Sequence, residues 1–253
     1  MGIAKKLIDV AYAAGCDYVK FQKRTVDKVY SKEELDAPRQ SPWGTTNREQ
    51  KEGLEFNFQD YVAINEYCTG KIKWFASPWD VDSFHFLMDL GVPMMKVPSA
   101  LITDTDILKA CVANEIPTIL STGMSTEDEI SAAQDLLHPF EYCTMHCTST
   151  YPTVPEEINV GYMRNLKYAS KIGFSNHYPG LMAMCLAVAY GAEMIEMHVT
   201  LDRTMYGSDQ AASIEPAGVF ELMRRIELIE KMMGDGRKVV YDSELPIIEK
   251  LRT

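Results

Sequence analysis

Short apolar runs recur along this chain, most of them followed by a longer amphipathic stretch, and that alternation constrains the fold more than any other feature. The runs are CDYVKFQ at 16–22, IKWFAS at 72–77, MMKVPS at 94–99, PTILST at 117–122, YCTMHC at 142–147, KIGFS at 171–175 and EMIEMHV at 193–199. Each has the length and composition of a buried strand. Between them, VDSFHFLMDLG at 81–91, TDILKACVANE at 105–115, STEDEISAAQDLL at 125–137, GLMAMCLAVAYG at 180–191 and GVFELMRRIELIEKMMG at 218–234 read as helices. Several close on a Gly, as a helix C-cap requires. Strand–helix alternation produces a parallel sheet. Regular spacing over 253 residues, without a linker or a break in composition, favours a (β/α)8 TIM barrel over an open doubly wound sheet.

Two stretches depart from this rhythm. Residues 25–58 are too long for a strand-to-helix loop, and SPWGTTNREQKEG within them mixes turn formers with charge, as a segment covering a substrate would. Residues 3–14 already read as a helix, so the expected barrel lacks its first strand.

Composition narrows the function. A net charge of −11 disfavours a protein that tracks a nucleic-acid backbone, while leaving room for a local basic pocket that takes a small anion. No apolar run reaches the ~18 residues of a membrane span. The amino-terminal MGIAKKLIDVAYAAG lacks the apolar core and cleavage site of a secretory signal, so a cytoplasmic protein is expected. The six cysteines form no CxxC pair and read as small buried hydrophobes. No glycine-rich nucleotide loop occurs.

In a barrel, the carboxyl ends of the strands and the loops after them build the active face. Lys20 and Gln22 end the first strand candidate, Ser77 the second, Lys96 and Ser99 the third, and Ser121 and Thr122 the fourth. His146, Thr148, Ser149 and Tyr151 follow the fifth, Ser175 and His177 the sixth, and Glu196 and His198 the last. His85 and His138 fall in helical stretches, and His146 fits a satisfied core residue. His177 and His198 differ because they end neighbouring strands about 5 Å apart, which lets two imidazoles hold one divalent ion, with core packing as the competing reading. The two lysines and the serines suit a phosphate or carboxylate. In STGMSTEDE, both Ser125 with Asp128 and Thr126 with Glu129 have capping-box spacing, so a helix start alone accounts for that stretch.

The series VKFQ, SPWG, KVPSA, STGMST, HCTSTYP, IGFSNH, IEMHVTLDR and GSDQAASIEP, in that order, resembles the N-acetylneuraminate (sialic acid) synthases, including the 9-phosphate, legionaminic and pseudaminic acid synthases. The likeness covers nearly the whole chain. It implies a sialic acid synthase-like barrel over residues 1–253, with the family's first strand and its C-terminal antifreeze-like domain absent, and a homodimer. It also implies condensation of phosphoenolpyruvate with N-acetylmannosamine or a related acyl-mannosamine-type sugar, giving a nonulosonic acid and phosphate by carbon–oxygen cleavage. His177 and His198 match the family's ligands for a divalent metal, manganese first, with magnesium or cobalt as alternatives. Lys20, Ser77, Lys96, Ser99, Ser149 and Ser175 fall where the family holds phosphoenolpyruvate, and Gln22, Tyr151 and Asp209 where it holds the sugar. Glu196 and Asp209 are the implied catalytic residues, with Glu196 orienting an imidazole or a metal-bound water.

The chain departs from the family in three places. The glutamate of an EIGxNHxG-like first strand has no counterpart, Ala100 and Leu101 stand where an acidic residue is common, and Gln210 replaces a histidine. Two further readings therefore stand beside the synthase: a truncated or degenerate, non-catalytic member that binds ligand or a full-length homologue, and another metal-dependent aldolase-type barrel.

Overall fold

The computed structural model describes residues 1–166 and 169–252. Its strands are β1 (Tyr18–Lys23), β2 (Pro38–Ser41), β3 (Gly44–Thr46), β4 (Lys73–Pro78), β5 (Met95–Val97), β6 (Thr118–Ser121), β7 (Glu141–His146), β8 (Ile172–Asn176) and β9 (Met194–Met197). Seven of them form one parallel sheet in the order β1-β4-β5-β6-β7-β8-β9. Every expected strand is present, with ends shifted by a residue or two. Residues 25–58, too long for a strand-to-helix loop, contain short helices and an antiparallel hairpin, β2 with β3.

The sheet is curled rather than open. Seven strands at ~4.8 Å spacing would put the edges of a flat sheet roughly 29 Å apart. Yet Lys20 Nζ on β1 lies 2.9 Å from Glu196 Oε1 on β9. Among the described residues no strand pairs with the outer edge of β1 or of β9. The fold is thus α/β with a curled seven-stranded parallel sheet.

Helices pack outside the curl, and local sequence explains where they start and stop. The helix Gly2–Ala14 ends at Gly15 with φ of 85°, a left-handed C-cap. The helix Glu127–Leu137 starts on a capping box made by Thr126 and Glu129, the second of the two spacings in STGMSTEDE. Outward residues such as Met95, Val97 and Leu120 join Ile8, Tyr61, Ile64, Phe84 and Ile107 in the main core between sheet and helices. Residues of opposite parity face the barrel interior, where Phe75, Met94, Ile119, Cys143 and Met145 form a separate apolar cluster with Tyr18 and Met194. Gly173 makes room for it, since a Cβ there would press on Cys143 and Met145.

Candidate active site

One step further along the same inward rows, side-chain chemistry changes. Two residues past Tyr18, Phe75, Met94, Ile119 and Met194 come Lys20, Ser77, Lys96, Ser121 and Glu196. Two residues past Gly173 comes Ser175, and two past Ser175 and Glu196 come His177 and His198. The period of two along each strand therefore stacks a polar layer on an apolar one, at the carboxyl ends of the strands.

Glu196 is the hub of that layer. Lys20 ion-pairs with its Oε1 at 2.9 Å, Lys96 Nζ donates to the same oxygen, and the Ser175 hydroxyl donates to it at 3.1 Å. Burial alone would raise the Glu196 carboxyl, but the two ammonium groups hold it well below the usual carboxylate range. Burial pushes Lys20 down to about 8, with Glu196 opposing the shift and Lys96 adding to it. Two ammoniums share one carboxylate, so the cluster carries a net positive charge in an acidic protein. In the structure its carboxylate turns to Lys20 and Lys96 across the barrel.

The histidines sit beside this cluster. Their ring centroids are 5.5 Å apart, and Tyr151 lies 4.0 Å from the His177 ring and 5.6 Å from the His198 ring. His177 Nδ1 is 2.6 Å from the Thr148 carbonyl, so Nδ1 carries the proton and the Nε2 lone pair is left free. Burial lowers His177 despite that bond. Burial and then the Lys20 ammonium push His198 down to about 4, against the pull of Asp209, whose Oδ2 is 3.6 Å from His198 Nδ1. Both rings are neutral near pH 7, the state a metal ligand needs. Among the described residues no group of three or more His, Cys, Asp and Glu side chains is arranged to hold a metal. Two neutral imidazoles, one oriented by a carbonyl, fit an open site that other oxygens would complete.

The serines take distinct places. Ser77 is buried and donates to the Lys96 carbonyl at 2.8 Å, so it fixes the strand that carries the lysine. Ser99 Oγ accepts from the Gly123 amide at 3.0 Å and lies 3.2 Å from Cys147 Sγ. A Cβ on Gly123 would overlap Ser149 and crowd Ser99 and Cys147, which shows all three converging on that glycine. Gln22 accepts from Arg24, whose guanidinium stacks 4.2 Å from the Trp79 ring. Arg24 Nε, Trp79 Nε1 and Ser121 Oγ are buried without a hydrogen-bond partner among the described residues.

Sequence reasoning passed over Gly123, Cys147 and Arg24 as site residues. The parity of the inward rows was the signal available for Cys147, which continues Cys143 and Met145. Parity also separates the histidines: His146 has the outward phase, contacts Tyr162 and Phe174, and its Nε2 lies 2.9 Å from the Ile158 carbonyl. It is a satisfied core residue. A surface groove of about 360 Å³ lies at the start of β4, lined by Asn65, Lys71, Trp74 and Gly91. It stands apart from the Glu196 cluster, and Lys71 there is turned to Tyr67 and Asp9.

The sequence pattern of the NeuB family matches residues 7–238. The chain belongs to the NeuB family. The N-acetylneuraminate-9-phosphate synthase of Homo sapiens is 33% identical over 259 residues, covering 99% of this chain and 72% of the human protein. The N,N'-diacetyllegionaminic acid synthase of Campylobacter jejuni is 35% identical over 263 residues, covering 100% of this chain and 79% of that protein. The crystal structure of N-acetylneuraminic acid synthetase from Leptospira borgpetersenii, in complex with citrate, superposes with a TM-score of 0.86 at 30% identity, over 98% of this chain and 85% of that one. These relatives are synthases, and the chain is an N-acetylneuraminate synthase-type enzyme of this family. Among the described residues no helix is long and apolar enough to cross a membrane.

Proposed function

We propose that this chain condenses phosphoenolpyruvate with an acyl-aminosugar of the mannosamine type to give a nonulosonic acid and phosphate. The observation that carries the reading is the net-positive cluster of Lys20, Lys96 and Glu196, ringed by hydroxyls and set beside two neutral imidazoles. Lys20 and Lys96 neutralise the phosphate and carboxylate of phosphoenolpyruvate, with Ser99, Ser149 and Ser175 as hydroxyl donors. Glu196 holds the lysines apart and aimed. Tyr151, Gln22 and Asp209 lie on the sugar side.

In the reaction, carbon 3 of phosphoenolpyruvate bonds to the aldehyde carbon, and a water oxygen bonds to carbon 2. The carbon 2–oxygen bond to phosphate breaks, and its electron pair leaves with the phosphate. Of the two water protons, one ends on the former aldehyde oxygen and one on phosphate. His177 and His198 would hold a divalent ion, manganese first, with magnesium or cobalt as alternatives; when bound it supplies Lewis-acid polarisation of the aldehyde. Asp209, whose Oδ2 is 3.6 Å from His198 Nδ1, is assigned as the carboxylate that acts beside the sugar.

The same reading takes residues 1–253 as one barrel unit of an eight-stranded design, in a cytoplasmic homodimer. A non-catalytic, ligand-binding member is not favoured, because the ionised cluster and both neutral imidazoles are in place and the relatives named above are synthases. The test is phosphate release from phosphoenolpyruvate and N-acetylmannosamine with manganese, using phosphoenolpyruvate labelled with oxygen-18 at the bridging position. Label leaving with phosphate, only when an aminosugar is present, supports the reading. Release that ignores the sugar, or none with any acyl-aminosugar, overturns it.

A further inference from the structure

The loop after β9 leaves the barrel at Thr200 and returns at Ile214, and its ends are joined. Val199 bridges Ile214, the Thr200 amide donates to the Ile214 carbonyl at 3.0 Å, and the Ile214 amide donates to the His198 carbonyl at 2.8 Å. Arg203 straps the base, its amide donating to Glu215 at 3.0 Å and its Nε to the Ser213 carbonyl at 2.9 Å. The loop then carries Tyr206 at its tip and Asp209 on its return.

The hairpin β2–β3 meets that tip from the other edge of the sheet order. The Trp43 and Tyr206 rings meet edge to face, 6.0 Å apart at 71°. Arg39 Nε donates to the Tyr206 hydroxyl at 3.4 Å, and that hydroxyl is 3.4 Å from the Gln40 carbonyl. The hairpin is a fixed arm: Glu49 accepts from the Thr45 amide at 2.7 Å and the Thr46 amide at 3.0 Å, and Asn47 donates to the Glu34 carbonyl at 2.8 Å. Trp43 lies so close over Gly53 that a Cβ there would overlap the indole.

We propose that Trp43 and Tyr206 form a clasp that joins the two edges of the curled sheet over the site and holds the Asp209 loop in place for the aminosugar. This rests on the condensation proposed above and adds specificity-setting, positioning residues to it. Both rings remain about half exposed, and flat aromatic faces suit the C–H surface of a sugar far better than a small trianion. Phosphoenolpyruvate instead meets the lysines on the strands, which the clasp does not touch.

The test uses the full chain with Tyr206→Ala and Gly53→Ala. Gly53 lies in the helix Asn47–Leu54, where alanine is the better helix former, so loss of the fold is not the expected result. Calorimetric titration in manganese buffer should show N-acetylmannosamine binding weakened by roughly 3- to 10-fold in both variants, the factor an aromatic pair supplies. Phosphoenolpyruvate binding should change by less than about two-fold, well short of the factor of 5 to 30 that one or two kcal/mol represents. Hydrogen exchange across 202–209 should rise in both. Equal weakening of the two ligands, unchanged sugar binding, or unchanged exchange in Gly53→Ala overturns the clasp. A wild-type chain that binds N-acetylmannosamine with this dependence yet releases no phosphate overturns the condensation and leaves the clasp standing.

Discussion

The two inward layers of the barrel are built by the same strands at the same parity, yet they do opposite work. In the lower one, Tyr18, Phe75, Ile119, Cys143 and Met194 fill space with apolar atoms. In the upper one, Lys20, Ser77, Lys96, Ser121 and Glu196 stand one pleat higher, with charges that desolvation penalises. The difference teaches that stability is concentrated at one end of the strands and given up for chemistry at the other. Substitutions should split along the same line, the lower layer moving stability alone and the upper layer moving ligand binding.

The largest effect is expected in the lower layer. Phe75→Ala removes a buried ring that meets Tyr18 edge to face at 5.7 Å. It should cost about 3–5 kcal/mol in denaturant unfolding while leaving phosphoenolpyruvate affinity in the folded fraction unchanged. A large loss of affinity in that variant would break the division into layers.

Next comes Glu196→Gln, which leaves the Lys20 and Lys96 ammoniums facing one another with no counter-ion. Breaking a buried pair costs about 3 kcal/mol or more, and the Lys96 side chain is only 4% exposed. Inorganic phosphate should restore part of the loss, raising Tm more in the variant than in wild type. An unchanged Tm would remove Glu196 from its place as hub.

Within the upper layer, Lys96→Ala should weaken phosphoenolpyruvate binding by an order of magnitude or more, because a charge-assisted contact is worth roughly 1.5–3 kcal/mol. Ser99→Ala should cost about 1 kcal/mol, the scale of a neutral hydrogen bond. Equal effects in calorimetry would place the phosphate away from Lys96.

Lys20 gives the pH dependence. Its folded pKa of about 8 means that the ammonium is lost as pH rises through 8, so phosphoenolpyruvate affinity should fall on the alkaline side with a midpoint near 8. Lys20→Arg keeps its charge and should move that fall to higher pH. For stability the sign is opposite: between about 8 and the ordinary value of 10.5 the unfolded chain binds the extra proton, so this group's contribution improves as pH rises there.

Much of the upper layer was legible in the sequence, because strand ends in a regular alternation point to one face. All seven barrel strands and the pairing of His177 with His198 at neighbouring strand ends came from spacing and apolar runs. The partners of Glu196 were not legible, because they lie at sequence separations that local pattern does not reach, a hundred residues in the case of Lys96. The hairpin was missed for a different reason: PRQS and GTT show no apolar alternation, and backbone pairing with the Glu49 cap sets their conformation. The Trp43–Tyr206 contact joins segments that only the curl of the sheet brings together.

The smallest effect should come from the histidine that parity places outside. His146 is buried among Tyr162, Phe174 and the Ile158 carbonyl, and burial lowers its pKa despite that hydrogen bond. His146→Gln should cost about 1 kcal/mol at pH 7, the scale of one hydrogen bond, without changing phosphoenolpyruvate or manganese binding. The pH signature follows from the direction of the shift. Above the ordinary value of 6.5 the ring is neutral in both states and contributes nothing to the slope. Below it the unfolded chain takes up a proton that the folded one refuses, so stability is lost as pH falls toward the folded pKa. Urea unfolding at pH 7 and pH 5 should therefore show a shallower loss in the variant than in wild type. His177 and His198 are unchanged between the two proteins and cancel in the difference. If the variant loses manganese binding instead, His146 belongs to the inward set, and the parity argument that separates the three strand-end histidines fails.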